Sequence, residues 1–378
     1  MNLTFCCPQV QGVQALYELI RLRLEHPGKY GPLMPVAAGA DTDAAKRRIG
    51  DADGVDFILQ TSGSTTGRGH LVGLTAGAFA SSEAATAKRF GGRGRWLLAL
   101  PTHHVAGFQV LARSCAGDTF PILPPPGPSF RERKVASFAP EGGFASLVPT
   151  QLSDLLEGEE DLTPLRSLRA ILVGGAVSSP ALLDRARQAG LPVVTTYGMT
   201  ETAGGCVYDG LPLDGVRVRI SDGRICLSGP MLARGYLDDP HSPAFALEQG
   251  RRWHITSDAG AFTDHLQVFG RLDDAIISGG VKVFARQVEE VLHQFPGVRD
   301  VAVLPVADPR WGQAVGAVVE ADFAVATQAE AMREQVRSEL GKAAPPRLFV
   351  QGKIPMLASG KLDRRRATAL LAHPTWEK

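Results

Sequence analysis

From about residue 55 the chain alternates short apolar runs with longer amphipathic stretches, and this rhythm constrains the fold more than any other feature. Most of the apolar runs are followed by Gly, Pro, Ser or Thr and then by helical spacing. This order predicts parallel strands whose loops gather at the carboxyl ends of the strands, where α/β sheets bind ligands. The predicted strands are Val55–Gln60, Trp96–Leu100, Phe144–Val148, Ala170–Val173 and Val193–Thr196.

After Leu211 the pattern changes to short strands separated by glycines, which predicts an antiparallel or barrel-like subdomain. Its expected strands are Val216–Ile220, Arg224–Ser228 and Gln267–Gly270. The last part of the chain predicts helices at Gln287–Gln294 and Glu330–Leu340 and strands at Val301–Val306 and Leu348–Gln351. We therefore expect an α/β protein: a large N-terminal domain (1–271) of parallel α/β sheets with a small β-rich subdomain, and a small mobile α+β C-terminal domain (272–378).

The charge balance disfavours several classes of partner. The net charge is +1 and the basic residues form no long run, so nucleic acid is not expected. The longest apolar stretches are too short to span a bilayer and the N-terminus lacks a secretory pattern, so we expect no membrane insertion and a cytoplasmic protein. The five cysteines lack CxxC spacing, which predicts neither a disulfide framework nor a zinc site.

A run rich in glycine and hydroxyl side chains follows the first predicted strand and extends from Thr61 to Gly69. Glycines allow consecutive backbone N–H groups to point inward, and Ser and Thr add hydroxyl donors, so this loop can surround phosphate oxygens. The spacing is not that of a Walker A loop, and a solvated Gly/Ser loop is the alternative. The candidate phosphate-binding residues are Thr61, Ser62, Gly63, Ser64, Thr65, Thr66 and Gly67.

This run resembles the phosphate loop of the adenylate-forming superfamily, which includes acyl-CoA synthetases, peptide-synthetase adenylation domains and luciferases. Six further motifs follow in the family's order, and the sharpest is Thr196–Thr202, which is similar to the family's Tyr-Gly-x-Thr-Glu motif. The resemblance implies that Tyr197 stacks near adenine, Thr200 holds phosphate and Glu201 binds Mg²⁺. A carboxylate suits that task because Mg²⁺ prefers one or two carboxylates together with phosphate oxygens.

The other motifs complete a nucleotide site in the same way. Val173–Ala176 resembles the adenine-side glycine segment, and Trp253–Asp258 resembles the motif whose aspartate binds the ribose hydroxyls, with Ser257 in place of the usual glycine. The stretch from Gly270 to Val283 resembles the hinge, and Pro355–Lys361 resembles the catalytic-lysine loop. The residues expected to bind nucleotide, in addition to those of the phosphate loop, are Gly174, Gly175, Ala176, Thr196, Tyr197, Gly198, Met199, Asp258 and Arg271. Asp273 is the expected hinge pivot, and Lys361 is expected to reach the carboxylate and the α-phosphate.

At the subfamily level, Leu100–Gly107, Arg113 and Thr200–Leu213 look like the o-succinylbenzoate–CoA ligases of menaquinone biosynthesis, notably compact actinobacterial forms. The resemblance implies an acid–thiol ligase that uses ATP, Mg²⁺ and coenzyme A and releases AMP and pyrophosphate through an acyl adenylate. His104 would lie beside the acyl pocket. Arg113 would bind the carboxylate that does not react in this aromatic keto-dicarboxylate. Gly204 and Gly205 would leave room for the ring.

Three alternatives stay open. The first is another aryl or medium-chain acyl-CoA ligase, since a benzoate-type substrate needs no second cation. The second is a nucleotide-binding module that has lost catalysis, because the phosphate loop has an extra hydroxyl at Thr66 and has Gly69-His70 where the family usually has Pro-Lys. The third concerns Arg113 alone, which could be a surface arginine on an amphipathic helix.

The chain has no Asp-Ser-Leu carrier-protein motif, which favours coenzyme A as the thiol. The sequence leaves open whether the protein forms a homodimer.

Overall fold

The computed structural model describes residues 3–61, 69–127, 129–355 and 362–372. Its helices are α1 (Pro8–Gln11), α2 (Val13–Glu25), α3 (Thr42–Arg48), α4 (Ala76–Arg89), α5 (Val105–Ala116), α6 (Pro149–Glu157), α7 (Thr163–Arg166), α8 (Pro180–Gln188), α9 (Ala285–His293), α10 (Val325–Leu340) and α11 (Arg364–Ala372). Its strands are β1 (Thr4–Cys6), β2 (Leu33–Pro35), β3 (Phe57–Gln60), β4 (Leu71–Leu74), β5 (Trp96–Leu97), β6 (Phe144–Leu147), β7 (Ala170–Val173), β8 (Val193–Met199), β9 (Gly204–Tyr208), β10 (Leu211–Pro212), β11 (Arg217–Ser221), β12 (Arg224–Ser228), β13 (Gly235–Tyr236), β14 (Phe245–Glu248), β15 (Arg251–Phe262), β16 (Leu266–Arg271), β17 (Ile276–Ser278), β18 (Val281–Val283), β19 (Val298–Asp308), β20 (Gly312–Ala321) and β21 (Leu348–Gln351).

The first sheet has the strand order β1-β2-β3-β4-β13. It contains the first predicted strand, which we expected to pair in parallel with the four others and to lead into a helix. That prediction is wrong, because β3 lies in a different sheet from the four others, where it is parallel to β2 and antiparallel to the next strand, β4, in the register Ile58 to Gly73. The run after β3 therefore connects the two strands of a hairpin. The apolar segment that follows it is only four residues long and fully buried, which suits a strand better than a helix.

The second sheet has the order β10-β9-β8-β7-β6-β5 and carries the predicted parallel pairing. Strands β5, β6, β7 and β8 are parallel to one another, as expected, whereas β9 turns back antiparallel to β8. Strand β8 continues three residues beyond its predicted end, to Met199. The motif expected to bind nucleotide therefore lies on the end of a strand and on the turn that follows it.

Helices α4 and α5 pack in the core beside the first sheet through an aromatic cluster. The ring centroid of Phe108 on α5 lies 5.2 Å from that of Phe57 on β3 and 5.0 Å from that of Phe79 on α4. Edge-to-face and tilted arrangements at these distances are favourable for aromatic pairs. The same hydrophobic core includes Trp96 and Phe144 of the second sheet, so α5 is held in place by buried side chains on both sides.

The glycine-rich region after Leu211 forms the predicted antiparallel subdomain. Its sheet has the order β11-β12-β15-β14, with β16 paired to β15. Strand β12 has the predicted bounds Arg224–Ser228, and the register places Asp258 opposite Arg271 across β15 and β16. This pairing brings two of the predicted nucleotide-binding residues together.

The last part of the described chain has its own sheet, with the order β18-β17-β20-β19 and β21 parallel to β20. Helices α9 and α10 contribute to a separate hydrophobic core that draws only on residues from Ile276 to Phe349. The predicted helices and strands of this region are all present, and β19 and α10 are longer than expected. The division at residues 271 and 272 stays a proposal, which this separate core supports. Among the described residues, no helix combines the length and the apolar character that crossing a membrane requires.

Candidate active site

A short 3-10 turn, Thr200–Thr202, joins β8 to β9 and places the predicted metal-binding carboxylate. The Thr202 hydroxyl accepts a hydrogen bond from the Met199 N–H at 2.9 Å and donates to the Gly204 carbonyl at 2.7 Å. Ala203 follows with φ +51°, a left-handed conformation that the adjoining strands hold in place. Thr200 and Glu201 are each 8% exposed, so the turn fixes two buried polar side chains at the end of the strand.

Glu201 accepts a hydrogen bond from Tyr236, a residue that the sequence did not indicate. The Tyr236 hydroxyl donates to Glu201 Oε1 at 2.6 Å, a short charge-assisted hydrogen bond. Burial, followed by the charge of Glu201, raises the pKa of Tyr236 well above its ordinary value, so Tyr236 stays a donor at physiological pH. The hydroxyl thus holds one of the two carboxylate oxygens of Glu201 in place.

Tyr236 also connects the Glu201 carboxylate to His70, the residue that follows the predicted phosphate loop. The ring of His70 is stacked on the ring of Tyr236, with centroids 4.2 Å apart. His70 Nδ1 lies 3.4 Å from Oδ1 of Asp238, and Asp238 accepts from the Leu71 N–H and from Arg48. The hydrogen bonds from the backbone and from Arg48 outweigh burial and hold the pKa of Asp238 below its ordinary value.

The phosphate loop is closed at its base by two reciprocal hydrogen bonds. The Thr61 N–H donates to the His70 carbonyl, and the His70 N–H donates to the Thr61 hydroxyl, both at 2.9 Å. Gly69 is required there, because a Cβ at this position would overlap the Thr61 carbonyl. Of the predicted phosphate-binding residues only Thr61 is described; the others lie outside the described residues, namely Ser62, Gly63, Ser64, Thr65, Thr66 and Gly67.

The predicted adenine-side segment lies next to the Tyr-Gly-x-Thr-Glu motif. Gly174 follows β7 directly, and a Cβ there would overlap the Thr196 hydroxyl of the neighbouring strand β8. Gly175 has φ +77°, which a glycine adopts without strain. Residues 174–176 therefore form a turn without bulky side chains beside the strand that carries Tyr197, which is the arrangement that lets a flat base approach the backbone.

Asp258, the carboxylate expected to bind the ribose, accepts a hydrogen bond from Tyr197, the residue expected to stack near adenine. The Tyr197 hydroxyl donates to Asp258 Oδ2 at 2.8 Å, and the Asp258 N–H donates to the Thr256 hydroxyl at 3.0 Å. Burial raises the pKa of Asp258, while Tyr197 and Arg271 act in the opposite direction. Burial also raises the pKa of Tyr197, with Asp258 as the next cause. A vicinal diol that binds Asp258 has to share this carboxylate with the Tyr197 hydroxyl.

Arg271 and Asp273 lie at the junction between β16 and the last sheet. Arg271 Nη2 lies 3.3 Å from Asp273 Oδ2, and both side chains are partly exposed. Asp273 belongs to a 3-10 turn, Leu272–Asp274, that separates β16 from β17. The predicted pivot therefore lies in a short connection between two sheets and not inside a regular element.

His104 is the residue immediately before α5, and its neighbour His103 faces it with ring centroids 4.3 Å apart. Burial, assisted by His104, lowers the pKa of His103, so His103 is neutral at pH 7. The first turn of α5 lies against β9: a Cβ on Gly204 would come 4.0 Å from Val105 Cγ2 and 3.7 Å from Gln109 Cγ. The structure thus brings the start of α5 and Gly204 together.

The two glycines expected to make room for the substrate ring differ in their surroundings. The missing side chain of Gly204 faces α5 with ordinary contact distances. A Cβ on Gly205 would instead come 3.1 Å from Thr196 Cβ and 3.3 Å from the ring of Tyr208. Close packing between β8 and β9 is therefore one reason for glycine at position 205, and its role beside a substrate stays a prediction.

Arg113 is 5% exposed, so the alternative of a surface arginine is wrong. Its Nη2 donates to the Tyr208 hydroxyl at 2.9 Å and to the Thr86 hydroxyl at 3.2 Å, and its guanidinium lies 4.7 Å from the centroid of the Trp96 ring. Its Nε is buried and has no hydrogen-bond partner among the described residues. No carboxylate in the described part of the chain lies within ion-pair distance of Arg113, so the structure places a buried cation among neutral partners.

The predicted catalytic residue Lys361 lies outside the described residues. Its loop is closed at the base, because the Asp363 N–H donates to the Pro355 carbonyl at 2.8 Å. Leu362 packs against a further hydrophobic cluster of the last sheet, to which α11 contributes Ala367 and Leu371. The ends of the lysine loop are therefore anchored to this sheet.

The chain's residues fit a nucleotide with a bound magnesium ion. Glu201 is buried, is held in one orientation by Tyr236, and lies on the turn after the strand that carries Tyr197 and Thr196. No group of three or more candidate metal ligands occurs in the described ranges. One carboxylate suffices for Mg²⁺, which takes its other ligands from phosphate and water. When bound there, the ion would supply positive charge to the phosphates of ATP.

The site residues that the sequence did not indicate, Tyr236, Asp238 and Arg48, are brought to the site by contacts between segments that are far apart in the chain. Tyr236 is 35 residues from Glu201, and the antiparallel pairing of β13 with β4 brings it to the site. Asp238 and Arg48 come together across 190 residues. No local pattern could have revealed these contacts, since each depends on which strands become neighbours.

Comparisons with known proteins agree with this geometry. The family profile of the AMP-binding enzyme matches residues 18–237, and that of the AMP-binding enzyme C-terminal domain matches residues 287–361. The probable 2-succinylbenzoate–CoA ligase of Mycobacterium tuberculosis is 41% identical over 330 residues, which cover 84% of this chain and 85% of that protein.

Two solved structures share the fold at 26% sequence identity. One is the o-succinylbenzoate CoA synthetase (MenE) from Bacillus subtilis in complex with the acyl-adenylate intermediate OSB-AMP, with a TM-score of 0.66 over 93% of this chain and 80% of that one. The other is the amide bond synthetase McbA from Marinactinospora thermotolerans, with a TM-score of 0.70 over 97% of this chain and 79% of that one. From its motifs, its geometry and these matches, the chain belongs to the family of AMP-binding enzymes.

Proposed function

We propose that this enzyme joins o-succinylbenzoate to coenzyme A at the expense of ATP, through an acyl adenylate, with release of AMP and pyrophosphate. The product, o-succinylbenzoyl-CoA, belongs to menaquinone biosynthesis. The relative from Mycobacterium tuberculosis carries the name of this activity, and the Bacillus subtilis structure contains the corresponding adenylate. The remaining support comes from the chain's own residues.

The observation that carries the choice of substrate is the burial of Arg113 without an acidic partner. A buried charge is costly unless it is paired, and in the described structure the guanidinium contacts two neutral hydroxyls and an aromatic ring, while Glu83, a carboxylate that lines the same small cavity, is hydrogen-bonded to Arg93. A substrate with a second carboxylate would supply the missing anion. Benzoate-type and medium-chain acids lack that group, so Arg113 favours the keto-dicarboxylate over the alternative ligase substrates.

The proposed roles in the first half-reaction follow from position. Glu201 would hold Mg²⁺, which would supply positive charge to the phosphates, and Thr200, on the same turn, would donate to a phosphate oxygen. Lys361 approaches the reacting carboxylate and the α-phosphate, where its positive charge stabilises the developing negative charge. The carboxylate oxygen attacks the α-phosphorus, the bond to the β-phosphate oxygen breaks, and pyrophosphate leaves with that electron pair.

Three of the residues proposed to contact the nucleotide are neighbours in the described structure, since Tyr197 is hydrogen-bonded to Asp258 and Asp258 lies opposite Arg271. Gly174 and Tyr197 would hold the adenine, and Asp258 and Arg271 would hold the ribose. Thr61 and the loop after it would hold the polyphosphate. His104 would lie at the reacting end of the acyl group, and Arg113 at the other end.

In the second half-reaction the thiolate of coenzyme A attacks the acyl carbon, the bond from that carbon to the phosphate oxygen breaks, and AMP leaves with that electron pair. We propose that the C-terminal domain, residues 272–378, rotates about Asp273 between the two steps, since Lys361 is needed only for the first. The short connection at Leu272–Asp274 supports a pivot at this place. A cytoplasmic location is part of the proposal, and the homodimer stays a prediction that light scattering of the purified chain tests.

Detection of the thioester tests the proposed function directly. Purified protein is incubated with ATP, Mg²⁺, coenzyme A and o-succinylbenzoate, and the acyl-CoA is identified by mass spectrometry. Parallel reactions contain benzoate, a medium-chain fatty acid or no acid, and pyrophosphate release is followed in each. We expect a thioester and pyrophosphate only with o-succinylbenzoate.

Other results would point to the alternatives. A thioester formed preferentially with benzoate or the fatty acid would replace the proposed substrate. ATP binding without acid-dependent pyrophosphate release would indicate a nucleotide-binding module that has lost catalysis.

A further inference from the structure

One face of α5 follows β9 from its beginning to its end. Val105 and Gln109 lie against Gly204 at the start of β9, and Arg113 donates to the hydroxyl of Tyr208 at its end. Residues four apart fall on the same side of a helix, which accounts for this row. Gln109 therefore lies between the start of α5, where the reacting end of the acyl group is placed, and Arg113, where the second carboxylate is placed.

Gln109 is a polar residue in a buried position. Its side chain is 2% exposed, and its Nε2 donates to the hydroxyl of Ser82 on α4 at 2.7 Å. Its Oε1 is buried and has no hydrogen-bond partner among the described residues. Burying a polar amide atom without a partner is costly, and nearly all such groups in folded proteins are paired.

Ser82 can pair with the amide in two ways, because its hydroxyl both donates and accepts. In one, Nε2 donates to Ser82 and a second N–H is left over. After a half-turn of the amide, Ser82 donates to Oε1 and both N–H groups are left over. In each case the amide has more hydrogen-bonding groups than protein partners, so Gln109 can donate to a ligand while Ser82 holds it.

We propose that Gln109 determines specificity by donating a hydrogen bond from its amide to the ketone oxygen of the substrate. This inference rests on the proposed function, because it concerns the same acyl pocket and the same keto-dicarboxylate. In that substrate the ketone lies between the two carboxylates, and Gln109 on α5 lies between His104, the residue before this helix, and Arg113. Arg113 then recognises the charge of the substrate, and Gln109 recognises its carbonyl group.

The test compares two substrates that differ only at the ketone. One is o-succinylbenzoate, and the other is the analogue in which a methylene group replaces the ketone. Gln109→Met keeps the length of the side chain and removes its hydrogen-bonding groups. We expect this variant to lower kcat/KM for the ketone relative to the methylene analogue by about fivefold, the usual effect of losing one neutral hydrogen bond.

Two further variants distinguish a loss of ketone recognition from a general loss of activity. Arg113→Leu should lower kcat/KM for both substrates by the same factor, because both keep the second carboxylate. Gln14→Met changes an exposed glutamine on α2 that bonds Glu18, and should leave the preference between the substrates as it is in the parent. Thermal unfolding of each variant shows whether it is folded at the assay temperature.

The outcomes distinguish this inference from the proposed function. An equal effect of Gln109→Met on both substrates, or no effect on either, would overturn the role of Gln109. Formation of no thioester from o-succinylbenzoate by the parent enzyme would instead overturn the proposed function. If Gln109→Met does not fold, Ser82→Ala is used in its place. This substitution removes the hydroxyl that holds the Gln109 amide and should also reduce the preference for the ketone substrate. An unchanged preference would again refute the inference.

Discussion

The hydrogen bond between Tyr236 and Glu201 connects the predicted metal site to the rest of the fold, and Tyr236→Phe removes it selectively. The phenylalanine ring keeps its stacking on His70, at 4.2 Å, and its edge-to-face contact with Phe245, at 5.3 Å. Only the hydroxyl is lost. The change therefore isolates the effect of one hydrogen bond on a buried carboxylate.

The expected magnitude follows from burial and from charge. A hydrogen bond to a charged group contributes about 1.5 to 3 kcal/mol, and this one is short, at 2.6 Å, with Glu201 8% exposed. We expect the free energy of unfolding to fall by about 2 kcal/mol. If Glu201 holds Mg²⁺ in the orientation set by Tyr236, the same loss corresponds to a rate of adenylation about thirtyfold lower at a fixed, subsaturating Mg²⁺ concentration.

The assay is acid-dependent exchange of labelled pyrophosphate into ATP, measured as Mg²⁺ is increased. We expect Tyr236→Phe to require a higher Mg²⁺ concentration for half of its maximal rate. Tyr17→Phe is the matched control, because Tyr17 is 6% exposed and its hydroxyl donates to the Thr119 carbonyl at 2.9 Å, outside the candidate site. It should cost about 1 kcal/mol of stability and leave the Mg²⁺ dependence unchanged.

One result would refute the reasoning. If Tyr236→Phe is destabilised but its Mg²⁺ requirement is equal to that of the parent or lower, the hydroxyl supports the fold and does not position a metal-binding carboxylate. Urea unfolding of both variants is measured under the same conditions, so a loss of folded protein is not mistaken for a loss of metal binding.

Three further predictions concern the second carboxylate, the hinge and the last sheet. Arg113→Leu should raise KM for o-succinylbenzoate by a factor that corresponds to about 2 to 3 kcal/mol and change KM for ATP little, which steady-state kinetics checks; an unchanged KM for the acid would remove Arg113 from the pocket. Asp273→Pro should affect adenylation and thioester formation unequally, because proline fixes φ at the pivot; single-turnover assays of each half-reaction measure this with Asp273→Ala as the control, and equal losses would exclude the pivot. Burial lowers the pKa of His293, but its contacts with Asp300 and the Glu289 carbonyl outweigh burial and raise it overall. The native state then holds a proton that the unfolded state loses, so this contribution to stability is complete below about pH 6.5 and disappears as pH rises through the folded pKa. His293→Gln should therefore reduce the difference in unfolding free energy between pH 6 and pH 8, measured by urea denaturation, and an unaltered difference would contradict the assignment.

Local patterns in the sequence predicted several of the strands, but not β1, β2, β4 or β9, and they supplied the residues proposed for the candidate site. Apolar runs of the right length predicted β7 with its observed bounds, and glycine punctuation predicted β12 and the antiparallel subdomain. The motif residues could be named because each motif is contiguous. The turn Thr200–Thr202 is an example, since its hydrogen bonds join residues two or three apart and so depend mainly on the local sequence.

Local patterns in the sequence did not predict which distant segments of the chain pair with each other. The periodicity of β3 is compatible with a parallel or an antiparallel partner, and only the fold showed that β4 pairs with it antiparallel. Arg113 lies on an amphipathic stretch, and its burial became visible only when β9 and α4 were seen to cover that face of α5.

Side-chain type and contiguous spacing are local properties of a chain, so the sequence alone was enough to predict which residues carry the chemistry. The tertiary structure decided what surrounds them: the Tyr236 hydroxyl on Glu201, the neutral partners of Arg113, and the Oε1 atom of Gln109, which has no partner among the described residues. Each of these depends on how segments far apart in the chain pack against one another. That arrangement is set by the burial of apolar surface and the pairing of strands over the whole domain, and no single motif encodes it.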